Sequence, residues 1–175
     1  MRGMRKGVRK EMPRACGAVK EGAFKPRGID VRRARPSDVP AMCGLLEELF
    51  SIESDFEPDA GRQDSGLRAL LKRRGSVLLL VAEREGEVVG MCSVQTLVST
   101  AEGGEVGLLE DLVVKSGRRG QGAGSALLAE ALRWCALRGL LRVQLLRDFG
   151  NAAALDFYTH RGWSNTRLVC MRRRL

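Results

Sequence analysis

The sequence predicts an α/β protein in which a mixed sheet, mostly antiparallel and ending in a parallel βαβ unit, is covered by helices in the order β-α-α-β-β-β-α-β-α-β. Three observations carry this prediction. Apolar residues keep helical spacing at Val39, Met42, Leu45, Leu46, Leu49 and Phe50 and again at Ala126, Leu127, Leu128, Ala131, Leu132 and Cys135. Between those stripes lie β-rich runs punctuated by Glu85-Gly86-Glu87 and Glu102-Gly103-Gly104-Glu105, which reads as a three-stranded meander. A strand, a helix and a second strand then succeed one another within about forty residues, a length that makes the two strands parallel and the crossover right-handed.

Each element has a local reason. Ile29-Asp30-Val31-Arg32 alternates as a short strand, and Pro36-Ser37-Asp38 opens the first helix with Ser37 or Asp38 as its cap. After it comes an acidic run, Glu53, Asp55, Glu57 and Asp59, interleaved with Ile52 and Phe56; it reads either as a solvated loop or as a mouth that attracts a cationic substrate. Leu67, Leu70 and Leu71 mark a second helix over about 65–74, stopped by Gly75. The unbroken apolar run 77–82 is a buried strand, 88–94 returns antiparallel to it, and 106–114 is the third strand of the meander. Gly139 ends the third helix, 140–146 is the next strand, Asn151 opens a last helix to about Arg161, Gly162 breaks it, and 163–173 reads as a final strand.

Length and composition bound the function. With 175 residues, 44% of them hydrophobic, the chain can bury one substantial core, and no run approaches the roughly 18 apolar residues of a membrane span. Five scattered cysteines without a Cys-x-x-Cys pair, and a single histidine, argue for free thiols in a reducing compartment, hence the cytoplasm, and against a zinc or other metal site. Nine Lys or Arg against two acids within residues 1–28 supply most of the net charge of +9. The sequence therefore divides into a basic, disordered extension over 1–28 and a nearly neutral domain over 29–175, and a nucleic-acid argument applies only to the extension.

The chemistry-bearing stretch is the end of the third meander strand together with the loop that leads into the third helix: Arg118, Arg119, Gly120, Gln121, Gly122, Ala123, Gly124 and Ser125. A strand, a glycine loop and a helix start hold an anion on unpaired N–H groups at the positive end of a helix dipole. The loop is not a Walker loop, since Ala123 stands where lysine would, nor a dinucleotide fingerprint, since Ser125 stands where glycine would. A plain tight turn would need one glycine rather than three. Downstream, Asn151-x-x-Ala154-x-x-Phe157-Tyr158-x-x-x-Gly162-Trp163 sets Asn151, Ala154 and the only tyrosine on one helical stripe, with His160 on another face.

These two motifs, Arg119-x-x-Gly122-x-Gly124 and the run from Asn151 to Trp163, resemble the hallmarks of the GNAT superfamily of acyl-CoA-dependent N-acyltransferases, and the element order from Ile29 onward agrees with it. The resemblance implies transfer of an acetyl group from acetyl-CoA to a primary amine by direct attack. It implies that Arg119 and the loop residues Gly120, Gln121, Gly122, Ala123, Gly124 and Ser125 hold the CoA pyrophosphate, and that the backbone of Leu112, Val113 and Val114 pairs with the pantetheine arm. Asn151 shares that groove. Tyr158 takes the role of proton donor to the leaving thiolate, which a phenol with an ordinary pKa near 10 can fill. Glu110 is the expected base for the amine, with the alternative left to Asp111, because regular strand alternation sends the two acids to opposite faces. Glu53 and Asp55 are the expected contacts of a small cationic acceptor. A homodimer is compatible with this reading. Two other classes compete: a CoA-binding sensor without catalysis, and an RNA- or ribosome-associated module acting through residues 1–28.

Overall fold

The computed structural model of the chain describes residues 28–53 and 55–174. The basic extension expected over 1–28 therefore lies, apart from Gly28, outside the described residues. Strands β1 (Asp30–Arg33), β2 (Val77–Arg84), β3 (Glu87–Ser99), β4 (Gly104–Val114) and β5 (Val143–Leu145) form one sheet in sequence order, antiparallel throughout except for the parallel pair β4–β5. Helices α1 (Val39–Phe50) and α2 (Ala60–Lys72) cover one face, and α3 (Ala123–Leu137) covers the other. A short helix, α4 (Ala152–Thr159), packs beside α3 through Phe157 and Tyr158.

The unbroken apolar run in β2 results from burial on both faces. Leu78, Leu80 and Ala82 point to the α3 side, and Leu79 and Val81 to the α1–α2 side, so neither alternate set can be polar. The β2–β3 hairpin closes through Glu85 and Gly86, both at positive φ (53° and 80°), the backbone that a two-residue turn between right-twisted strands demands. Asp38 lies in a 3-10 turn before α1, where its carboxylate accepts from the Arg35 amide at 2.7 Å and from both ends of the Arg32 guanidinium at 2.7 and 3.0 Å. Arg32 also reaches Glu83, so β1, the start of α1 and the end of β2 share one partly buried ion network that holds the Asp38 carboxyl below its ordinary pKa.

Three expectations are corrected. Helix α2 starts at Ala60 rather than near residue 65, because Asp59 caps it by accepting the Arg62 amide at 3.0 Å; Asp59 belongs to the helix and not to a free acidic run. Residues 164–174 form no strand. The β5 edge they would join is only three residues long, and Leu168, Val169 and Met171 stand 85–93% exposed with no sheet to pack on, while Arg172 is drawn toward Asp55 and Phe56. The third correction is a β-bulge. Ser93 pairs with Glu110 and Met91 with Val113, so two residues of β4, Asp111 and Leu112, oppose the single residue Cys92. Among the described residues, no helix is long and apolar enough to cross a membrane.

Candidate functional site

The parallel pairing of β4 with β5 stops at Leu109 opposite Leu145, yet β4 runs on to Val114. The two strands diverge, and the β4 edge from Glu110 to Val114 is left without a neighbour on that side among the described residues. The bulge lies at the point of divergence. Asp111 adopts φ 52°, a left-handed conformation that Asp tolerates better than most side chains, and the bulge breaks the alternation on which the separation of Glu110 from Asp111 rested. Both carboxylates sit on the same side. Glu110 Oε2 accepts from Gln95 Nε2 at 2.6 Å, and Gln95 and Asp111 line the same cavity. Burial first, then the charges of Glu110 and Glu53, raise the Asp111 carboxyl to about 7.

Beyond Val114 the chain turns through Lys115 and a 3-10 turn into α3. Gly120 and Gly122 have φ of 74° and 94°, a geometry only glycine adopts without strain, and Gly122 is the N-cap of α3 without any side-chain cap. The first amides of α3, on Ala123, Gly124 and Ser125, therefore face outward unpaired by their own helix, at its positive end. Gly124 is less constrained: a methyl there would meet Phe157 and Val114 at 3.5 Å, ordinary contact. The remaining loop side chains are tied down. Arg119 Nε donates to the Val114 carbonyl at 3.0 Å, Gln121 accepts from Arg84, and Lys115 and Arg118 both pair with Glu87. Arg161, stacked on Phe157 at 3.8 Å, donates to Ser125 Oγ at 2.6 Å, which places a guanidinium at the open helix end.

Asn151 caps α4 by accepting the Ala154 amide at 2.9 Å, which fixes the helix that carries Tyr158. Tyr158 packs edge-on against Phe157 and Trp163, with ring centroids at 5.1 and 5.6 Å. Burial raises its phenol above the ordinary value, and the Cys92 thiol adds to the effect, so Tyr158 is protonated across the neutral range. Cys92, buried opposite the bulge, is also within electrostatic range of Asp111. Tyr158 and Asp111 thus approach one point of the sheet from its two sides. His160 is exposed, with Nδ1 at 2.7 Å from the Asp156 carbonyl, and takes no part.

On the α1–α2 side a cavity of about 520 Å³, within the range of small-molecule sites, opens above the bulge. Asp55, Glu57 and Asp59 line it together with Asp111, Phe50 and Phe56. Glu53 is half-buried beside it. Burial and the charges of Asp148 and Asp55 raise its carboxyl, so the loop after α1, the bulge and the loop before α4 bring their acids together. Two sets of lining residues were not legible in the sequence: Arg62, Gly66 and Ala69 on α2 with its C-cap Arg73, and Arg174 near the C-terminus; Arg172, over the Phe56 ring at 4.5 Å, adds a cation beside them. The spacing of 62, 66, 69 and 73 is helical, but Ala69 alone of the four is apolar, so they form no core stripe.

The pattern of the Acetyltransferase (GNAT) family matches residues 44–163. Two relatives are similar over most of their length: an uncharacterized N-acetyltransferase, YhfO, of Bacillus subtilis (strain 168), 28% identical with 77% of this chain and 89% of the relative covered, and an aminoalkylphosphonate N-acetyltransferase of Salmonella typhimurium (strain LT2), 29% identical with 78% and 86% covered. Among solved structures, an acetyltransferase of Trypanosoma brucei superposes with a TM-score of 0.65 at 26% identity, covering 84% of this chain and 99% of that one.

Proposed function

The chain belongs to the acetyltransferase (GNAT) family and is an acyltransferase, and from that premise we propose that it transfers an acetyl group from acetyl-CoA to the primary amine of a small acceptor by direct attack. The observation that carries this reading is the divergence of β4 from β5 beside the uncapped start of α3. An open strand edge offers amides and carbonyls at the spacing of a peptide-like arm, and pantetheine carries two amide groups that can join it as a further strand over Leu112, Val113 and Val114. The unpaired amides of Ala123, Gly124 and Ser125, with Gly120 and Gly122 keeping the backbone free of Cβ atoms, receive the pyrophosphate. Gln121, Arg119 and Asn151 shape that cradle through their bonds to Arg84, Val114 and Ala154.

With the thioester held at the bulge, the amine reaches it from the α1–α2 cavity, and the β4 backbone polarises its carbonyl. A primary amine arrives protonated and must lose its proton before it attacks. Of the two acids at the bulge, Glu110 is engaged by Gln95, whereas Asp111 faces the cavity and sits near its midpoint at neutral pH. Asp111 is therefore the better base, taking the proton directly or through water. Collapse of the tetrahedral intermediate breaks the C–S bond, and Tyr158 gives its proton to the departing sulfur. Glu53 and Asp55 draw the cationic amine to the mouth. That one relative is named for an aminoalkylphosphonate, itself a small amine, supports an acceptor of this size.

The catalytic unit is residues 29–175, with 1–28 outside it, and the described cysteines, all free thiols, suit the cytoplasm. The test is CoA release from acetyl-CoA across a panel of amines. Tyr158→Phe lowers kcat by about 100-fold or more while acetyl-CoA affinity stays within twofold; unchanged turnover in that variant removes Tyr158 from the mechanism.

A further inference from the structure

The ionisable residues of the cavity are close to balanced: the carboxylates of Asp55, Glu57, Asp59 and Asp111 share it with the guanidiniums of Arg62, Arg73 and Arg174. Part of that charge is already spent within the protein. Asp59 holds Arg62 at 3.1 Å, and Asp55 faces Arg172 at 3.9 Å. Among the described residues, no carboxylate lies within ion-pair distance of Arg73 or Arg174.

Helix α2 is built to present this charge. Residues 62, 66 and 69 and the C-cap Arg73 succeed one another at helical spacing, all four line the cavity, and the middle pair is Gly66 and Ala69. Between the two arginines the wall is made by Gln63, Leu67 and Leu70 together with the small residues Gly66 and Ala69, and it carries no further charge. Asp111 and Gln95 come from the sheet opposite. An acceptor with only an amine would satisfy Asp111 and leave the exposed guanidiniums of Arg73 and Arg174 without a partner from the ligand. A diamine would add like charge to them.

We propose that the acceptor is a small zwitterion, an amine that carries an oxyanion at its other end, bound with the amine at Asp111 and the oxyanion at Arg73, where Arg174 closes over it. This rests on the N-acetyltransferase reading above and narrows its acceptor. Carboxylate, phosphate and phosphonate share the recognising chemistry, two acceptor oxygens matched to a guanidinium fork.

The experiment compares four acceptors of similar length with acetyl-CoA: 4-aminobutanoate, 3-aminopropylphosphonate, butylamine and 1,4-diaminobutane. At least one of the two zwitterions is expected to exceed both other amines in kcat/KM by about tenfold or more, the value of one charge-assisted contact, and the preferred arm identifies the oxyanion. Arg73→Gln is expected to erase this advantage through KM, bringing the kcat/KM of the preferred zwitterion down to that of butylamine, Arg73→Lys to restore part of it, and Arg73→Glu to shift the preference to the diamine. Equal kcat/KM for all four acceptors, preference for the diamine by the wild type, or an advantage that survives Arg73→Gln overturns the proposal. Should none of the four be acetylated, the N-acetyltransferase reading fails for small amines, and calorimetric titration with 3-aminopropylphosphonate decides the inference separately. Binding to the wild type that is lost in Arg73→Glu supports it; equal binding to both, or none to the wild type, overturns it.

Discussion

The two faces of the sheet offer two kinds of candidate binding surface. On the α3 side the available groups are backbone: an open strand edge, two glycines at positive φ and the first amides of one helix, close together in the sequence. On the α1–α2 side they are side chains gathered from α2, the loop before it, the β4 bulge and the C-terminal segment. The first arrangement fits a ligand that stays the same, because backbone geometry needs only small residues at fixed spacing. The second fits a ligand that differs from one protein to another, because any of its side chains can change without disturbing the fold.

This difference sets what could be read from the sequence. Three glycines between an apolar strand and an amphipathic stripe announce the loop, and Asn151, Ala154 and Tyr158 announce α4, since each motif is local and periodic. The acceptor side carries weaker signals. Asp111 is visible as an acid, but its direction depends on a bulge created by one unpaired residue, and strand alternation is blind to such an insertion. Asp59 is visible as a charge and proves to be a helix cap. The stretch after Trp163 has strand-like composition, yet composition does not reveal that its sheet partner is three residues long.

Changes on one face should leave the other intact, and the largest separation belongs to Asp111→Asn. It is expected to lower kcat/KM for the acceptor by about 100-fold with acetyl-CoA affinity unchanged. Its effect on stability has the opposite sign. The folded-state carboxyl is raised from 3.8 to about 7, so the folded protein binds more protons than the unfolded chain between those values. Stability contributed at low pH is therefore lost as pH rises through that window. Asparagine escapes the loss: at pH 8 the variant is expected to be more stable by on the order of 1–3 kcal/mol, and at pH 4 equal to the wild type, as melting temperatures at the two pH values will show. A melting temperature lowered at pH 8 contradicts the buried-acid account.

Gly122→Ala addresses the other face. A Cβ at φ 94° strains the loop by about 1–2 kcal/mol, so acetyl-CoA should bind roughly tenfold more weakly while acceptor KM at saturating acetyl-CoA is unmoved. Unchanged acetyl-CoA affinity by calorimetry removes the loop from cofactor binding. The smallest effect is Asp59→Ala, which removes the α2 cap at a cost of about 1 kcal/mol in denaturant unfolding. It is expected to raise acceptor KM two- to threefold by fraying the start of the cavity wall. An effect on acetyl-CoA binding instead would blur the division between the faces.

Whether the acid at the β4 bulge prepares the amine arriving from the α1–α2 cavity is decided by the pH dependence of kcat/KM for an accepted amine in the wild type and in Asp111→Asn. The wild-type profile should rise through an inflection near pH 7 as Asp111 loses its proton beside Glu110 and Glu53, and the variant should lack that inflection at a rate about 100-fold lower. A variant that keeps both the inflection and the rate contradicts the account.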